Sequence, residues 1–165
     1  MTTNRGNTKD IWDATKSGNL PAVKYFYKED PSNINKKNEN DHNATPLHYA
    51  SREGYFEIVQ FLISKGAEID PVELGYKATP LIKASRYGHL IIIKYLLDKG
   101  ANINHQTKHK DTALIWAVFK NHLDIVKLLC ERGANRNIKG AGENTPLGLA
   151  KKKNYTSIVE YLTSL

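Results

Sequence analysis

Few residues in this sequence could do chemistry. His105 and His109 stand four apart, the interval at which a helix would aim two imidazoles at one metal ion. No Cys or paired carboxylate accompanies them, and the polar residues around them read as a turn, so neither a metal site nor a metal cofactor is expected. Cys130 is the single cysteine. It follows Leu128 and Leu129 and reads as a small core residue on the buried side of a helix rather than a nucleophile. The phosphate-cradling patterns Gly-x-x-x-x-Gly-Lys and Gly-x-Gly-x-x-Gly are both missing, as is any Ser/His/Asp or paired-carboxylate arrangement. No catalytic residue and no cofactor is expected, and the chain reads as a non-enzyme.

Charge is the stronger signal. The 165 residues carry 24 Lys and Arg against 17 Asp and Glu, a net charge of +7. Residues 1–74 hold 9 basic and 11 acidic side chains, whereas residues 75–165 hold 15 and 6. If the halves lie at opposite ends of an elongated molecule, the C-terminal end attracts acidic protein, nucleic acid or anionic lipid. The Lys151-Lys152-Lys153 run is shorter than the five to eight basic residues of a persuasive nucleic-acid or import patch. No segment supplies the roughly 18 apolar residues of a membrane-spanning helix, and the residues after Met1 lack the apolar core of a secretory signal. With one cysteine and no internal disulfide, the expected compartment is reducing: cytoplasm or nucleus.

The elements that position these groups are set by an internal repeat. Thr45-Pro46-Leu47-His48-Tyr49-Ala50, Thr79-Pro80-Leu81-Ile82-Lys83-Ala84, Thr112-Ala113-Leu114-Ile115-Trp116-Ala117 and Thr145-Pro146-Leu147-Gly148-Leu149-Ala150 begin 34, 33 and 33 residues apart. Each is followed in phase by an apolar run such as Phe56–Leu62 or Leu123–Leu129, and three of these runs lead into Gly66-Ala67, Gly100-Ala101 and Gly133-Ala134. A degenerate first copy fits the frame through Ile11, Trp12, Ala14, Gly18 and Val23. Thr before Pro is a helix start, the hydroxyl accepting from an early amide while Pro fills the first helical position. Gly54 and Gly88 end that first helix in a left-handed turn, with Asn121 in the same place. A second helix with Ile58, Val59 and Leu62, or their equivalents, follows and leads to an extended stretch. Each unit therefore reads as helix, helix, hairpin, and a unit of this size buries its apolar faces only by stacking on neighbours.

In these residues the sequence resembles the ankyrin repeat family, whose unit has this period and a Thr-Pro-Leu-His-x-Ala signature. The resemblance covers about residues 4–165 and implies an all-α solenoid forming a single domain, with repeats at approximately 4–39, 40–73, 74–106, 107–139 and 140–165. The first and last copies read as caps. Ala113 departs from the pattern in place of Pro; Ile82, Ile115 and Gly148 depart in place of His; and the first copy has a longer exit containing Asp30-Pro31. The resemblance implies that His48 ties helix to hairpin. It also makes Asn104 and Asn137 candidates for hydroxylation.

The family's usual binding face, made of hairpin tips and the exposed side of each first helix, implies a partner protein. Positions beside each Thr vary between copies while the buried frame stays apolar. The expected partner-binding residues are Tyr49, Arg52, Tyr76, Lys83, Arg86, Tyr87, Lys108, Trp116, Phe119, Lys120, Lys152 and Lys153, a mixture of aromatic and cationic anchors. The expected partner is a protein segment bearing acidic and apolar residues, taken by a monomer in a groove centred on units three and four. The alternatives are nucleic-acid or anionic-lipid binding through the basic C-terminal repeats, inhibition of a partner enzyme, and simple packing of Trp116 and Phe119 between helices.

Overall fold

The computed structural model describes residues 6–165; the expected start of the first repeat at residue 4 lies outside the described residues. Among the described residues, ten α-helices pair in chain order: α1 (Ile11–Lys16) with α2 (Leu20–Glu29), α3 (Pro46–Glu53) with α4 (Phe56–Ser64), α5 (Pro80–Tyr87) with α6 (Leu90–Asp98), α7 (Ala113–Phe119) with α8 (Leu123–Glu131), and α9 (Pro146–Lys152) with α10 (Thr156–Thr163). Among the described residues there is no strand, and no helix is long and apolar enough to cross a membrane.

The helix starts follow from the threonines. The hydroxyls of Thr79, Thr112 and Thr145 accept from the amides of Ile82, Ile115 and Gly148, three residues on. The first helices end where the backbone turns left-handed, at Gly54 and Gly88 (both φ 86°) and at Asn121 and Asn154 (φ 60° and 58°). At Gly54 the demand is double, because a Cβ would lie 2.5 Å from the His89 ring. That ring belongs to a tie between units, in which His89 Nε2–H donates to the Arg52 carbonyl at 2.8 Å.

The first helices stack in one row, α1, α3, α5, α7, α9, and the second helices in another. Ala14, Ala50, Ala84, Ala117 and Ala150, all 0% exposed, let the first row close tightly. Larger side chains bridge the second row, as in the edge-on pairs Tyr27–Phe61 and Phe56–Tyr95, with centroids 5.7 and 5.6 Å apart. The first unit's exit departs from the expected hairpin. It forms 3-10 turns at Pro31–Asn35 and Glu39–Asp41, because the Asp30 carboxylate caps Ser32 and Pro31 follows directly.

A ladder of side chains joins the unit ends. Asn35 accepts from the Glu68 amide at 2.9 Å, Asp70 from the Asn102 amide at 2.8 Å, and Asn104 from the Asn135 amide at 2.8 Å. Asn35 also donates from Nδ2 to the Gly66 carbonyl at 3.3 Å, a bond that a carboxylate cannot make, and Asp70 Oδ1 is buried with no donor. By analogy with Asn35, Asp70→Asn is expected to donate to the Gly100 carbonyl. It is expected to stabilise the protein by about 0.5–1.5 kcal/mol, read as a higher midpoint in urea unfolding.

Candidate interaction surface

Three consecutive units build one groove. Its floor is Ile115, Trp116 and Phe119 of α7 with Leu149, Lys152 and Lys153 at α9, and its wall is Tyr76, Asp111, Ala141, Gly142 and Asn144 from the connecting turns. It encloses about 490 Å³. Neighbouring turns are held in register by the backbone, the Leu74 amide donating to the His42 carbonyl at 2.7 Å and the Lys108 amide to the Tyr76 carbonyl at 3.0 Å. Asp111 staples the wall: one carboxylate oxygen accepts from the Ala141 amide at 2.8 Å, the other from the Tyr76 hydroxyl at 3.3 Å. Burial, and then the Asp111 charge, raise the Tyr76 pKa, which keeps the phenol a neutral donor.

The aromatic rings form a chain. Tyr76 lies 4.9 Å from the His109 ring and 6.0 Å from Trp116, and Trp116 meets Phe119 edge-on at 5.5 Å. Cations cap the rings: Arg86 sits 4.5 Å over Trp116, Lys153 4.2 Å and Lys120 5.8 Å over Phe119, and Lys108 5.9 Å over Tyr76. Each such contact contributes about 0.5–1 kcal/mol where solvent reaches it, so the cations are held close to the apolar floor without an ion pair. Phe119 is 42% exposed, and Trp116 is half-buried and packed against the core.

The structure brings Tyr76, Trp116, Phe119, Lys152 and Lys153 to one groove, with Arg86, Lys108 and Lys120 beside it. Tyr87, 47% exposed, lies next to Arg86, and Arg52 stands on α3, bonded to Glu53 at 2.6 Å. Two expectations are corrected. Tyr49 is only 1% exposed and closed to a partner, because its hydroxyl is taken up by Asp41 at 2.8 Å and Asn38 at 3.0 Å. Lys83 is not a free surface cation: its ammonium lies 2.8 Å from the buried Glu73 carboxylate. Cys130 is half-buried and packed against the core, and burial raises its thiol pKa. His105 is committed to the Lys77 carbonyl at 2.9 Å. Of the hydroxylation candidates, Asn104 is held in the ladder and Asn137 is exposed.

Sequence reasoning missed Ile115 as a floor residue. It holds the place of His48, and a buried position in the signature gives no sign that one side of it faces a groove. The departure at that position was the available signal: His48 reaches the next unit's backbone at Ala78, whereas Ile115 can only offer an apolar surface there.

A row of capped helix pairs, each resting on the next and presenting a groove at the turns, is the architecture of a solenoid repeat protein. The chain belongs to the ankyrin repeat family: the family model described as Ankyrin repeats (3 copies) matches residues 11–73 and 71–140. Ankyrin repeats are in general protein-interaction modules. Among relatives, human ankyrin repeat domain-containing protein 39 is 39% identical over 64 residues, covering 38% of this chain and 32% of that protein. Human scaffold protein ILK is 35% identical over 66 residues, 40% of this chain and 14% of its own length. Mouse ankyrin repeat and SAM domain-containing protein 6 is 41% identical over 61 residues, 37% of this chain and 7% of its own. The matched segments thus span about a third or less of each relative.

Proposed function

We propose that this chain is a non-enzymatic interaction module that holds a segment of a partner protein in the groove between α7 and α9, on the face made by the first helices and the turns. The observation that carries this reading is the cation-ringed aromatic floor, in which Phe119 is exposed and Trp116 half-buried. Aromatic and Arg anchors in a preformed pocket supply most of the affinity at interfaces, and a rigid stack of helices loses little ordering entropy on binding. A role as a monomeric scaffold fits the ILK likeness, and the lone Cys130 thiol fits the reducing interior of the cytoplasm or nucleus.

The rival is a nucleic-acid or anionic-lipid surface on the basic C-terminal units, where Lys151 and Lys152 are exposed. Immobilised protein is exposed to lysate of the source cell at low and high salt, alongside a Trp116→Ala, Phe119→Ala, Lys120→Ala variant shown to be folded by circular dichroism. A protein retained at high salt and lost with the variant is the expected result. Retention of nucleic acid or lipid only at low salt, indifferent to the variant, overturns the groove.

A further inference from the structure

Two buried donors at the edge of this groove have no acceptor. Among the described residues, four buried side-chain polar atoms lack a hydrogen-bond partner, and two of them, Arg86 Nε and Trp116 Nε1, belong to one stacked pair. The guanidinium lies 4.5 Å over the indole, so the two donors belong to one contacting pair of side chains rather than to two separate places on the surface. Both donate only, and a buried donor is stable only when it meets an acceptor. Arg86 also has no carboxylate within ion-pair distance among the described residues, whereas Arg52 and Arg132 are paired with Glu53 and Asp98.

The groove's own acid does not fill this need. Asp111 is spent on the Ala141 amide and the Tyr76 hydroxyl. Lys120, Lys152 and Lys153 likewise lie in no ion pair among the described residues, so cations without a counter-charge stand at the groove. Beside them the groove is lined by the apolar side chains of Ile115, Phe119 and Leu149.

Resting on the groove reading above, we infer that the occupant is a polypeptide segment in which an Asp or Glu carboxylate accepts from Arg86 and Trp116 while a neighbouring bulky apolar side chain lies on Ile115, Phe119 and Leu149. A carboxylate satisfies both orphan donors at once and matches the planar fork of Arg, and the apolar neighbour covers a floor that a charged chain alone would leave wet. Nucleic acid supplies the charge but no bulky aliphatic group for the floor.

The full chain is used to screen a random peptide display library at physiological salt, and an enriched peptide is synthesised with its acidic residue intact and as the amide. Enriched sequences are expected to share an Asp or Glu beside a large apolar residue. Arg86→Gln and the peptide's amide form are each expected to weaken binding about tenfold or more, and combining them to cost little beyond either alone. Trp116→Phe, which keeps a benzene ring and deletes the pyrrole ring with its N–H, gives a second reading if Arg86→Gln folds poorly. Peptides that lose affinity for Phe119→Ala yet carry no acid, or that bind Arg86→Gln and Trp116→Phe as the parent, overturn the carboxylate inference and leave the groove standing. An unenriched library, or peptides indifferent to Phe119→Ala, overturns the groove and the inference together.

Discussion

Replacing Lys83 with Met is expected to cost the protein about 3 kcal/mol and to lower its thermal midpoint by about 6–12 °C. The Glu73 side chain is 7% exposed and the Lys83 side chain 18%, with 2.8 Å between ammonium and carboxylate. Met fills the space of the Lys stem, so the loss is electrostatic: it leaves a buried carboxylate with no counter-charge, which costs far more than the intact pair contributes. The same logic sets the control. Glu73→Leu combined with Lys83→Met removes both charges and is expected to return to within about 1 kcal/mol of the parent. Urea unfolding of the two single variants and the double variant measures the cycle. A Lys83→Met variant as stable as the parent overturns the account, since Glu73 would then be served by water.

Lys83 and Tyr49 also explain where the sequence was legible and where it was not. Helix starts, helix ends and stacking were readable because each depends on one residue type at one place: a Thr hydroxyl for the cap, Gly54 or Asn121 for a positive φ, Ala50 and Ala84 for close approach. Exposure along the binding face was less legible, because it was read from variation between copies. A column containing Tyr49, Lys83, Trp116 and Leu149 looks like surface. In the fold, two of its members have private partners. Tyr49 is covered by Asn38 and Asp41 in the unusual connection between the first two units, and Lys83 by Glu73 in the turn that leads to its helix. Those partners lie 11, 8 and 10 residues upstream in a stretch that departs from the consensus, so no single-column comparison reveals them.

The groove shows the same division. Its aromatic and cationic members were visible as residue types, since Trp116, Phe119 and Lys153 have no consensus role in the stacked core. What gives the site its chemistry depends instead on the register of three units. Asp111 reaches both the following and the preceding turn, and the Arg86 guanidinium crosses from α5 to the indole on α7. Each contact spans about one repeat length, a distance at which the period predicts neighbours but not which atoms of those neighbours meet.

Acidification is expected to strip about 3 kcal/mol from this protein as the pH falls from about 6.5 towards 4, through His48 alone. His48 is 1% exposed at the junction of the second and third units. Its Nε2–H donates to the Ala78 carbonyl at 3.1 Å, which leaves Nδ1 to accept from the Thr45 amide at 3.1 Å. A protonated ring has no acceptor at Nδ1 to offer Thr45. Burial lowers the His48 pKa from the ordinary 6.5 to about 4, against the upward pull of the Ala78 carbonyl and the Glu73 charge. The unfolded chain therefore takes the proton first. The stabilisation is complete above about pH 6.5 and is lost as the pH falls through the folded-state value of about 4. His48→Ile, the residue type at Ile82 and Ile115, removes the titrating group while keeping an apolar junction, and should flatten stability across that window. The comparison with His48→Ile separates this slope from carboxylate titration, which both proteins share. Urea midpoints at intervals between about pH 7.5 and 4.5 provide the test, and a slope equally steep in His48→Ile would remove His48 as its source. The junction it weakens is separated by one unit from α7, which carries the groove floor. Loss of folding on acidification is therefore expected to begin between the second and third units, with the Trp116 environment, followed by its fluorescence, changing at lower pH than the helical signal of the whole.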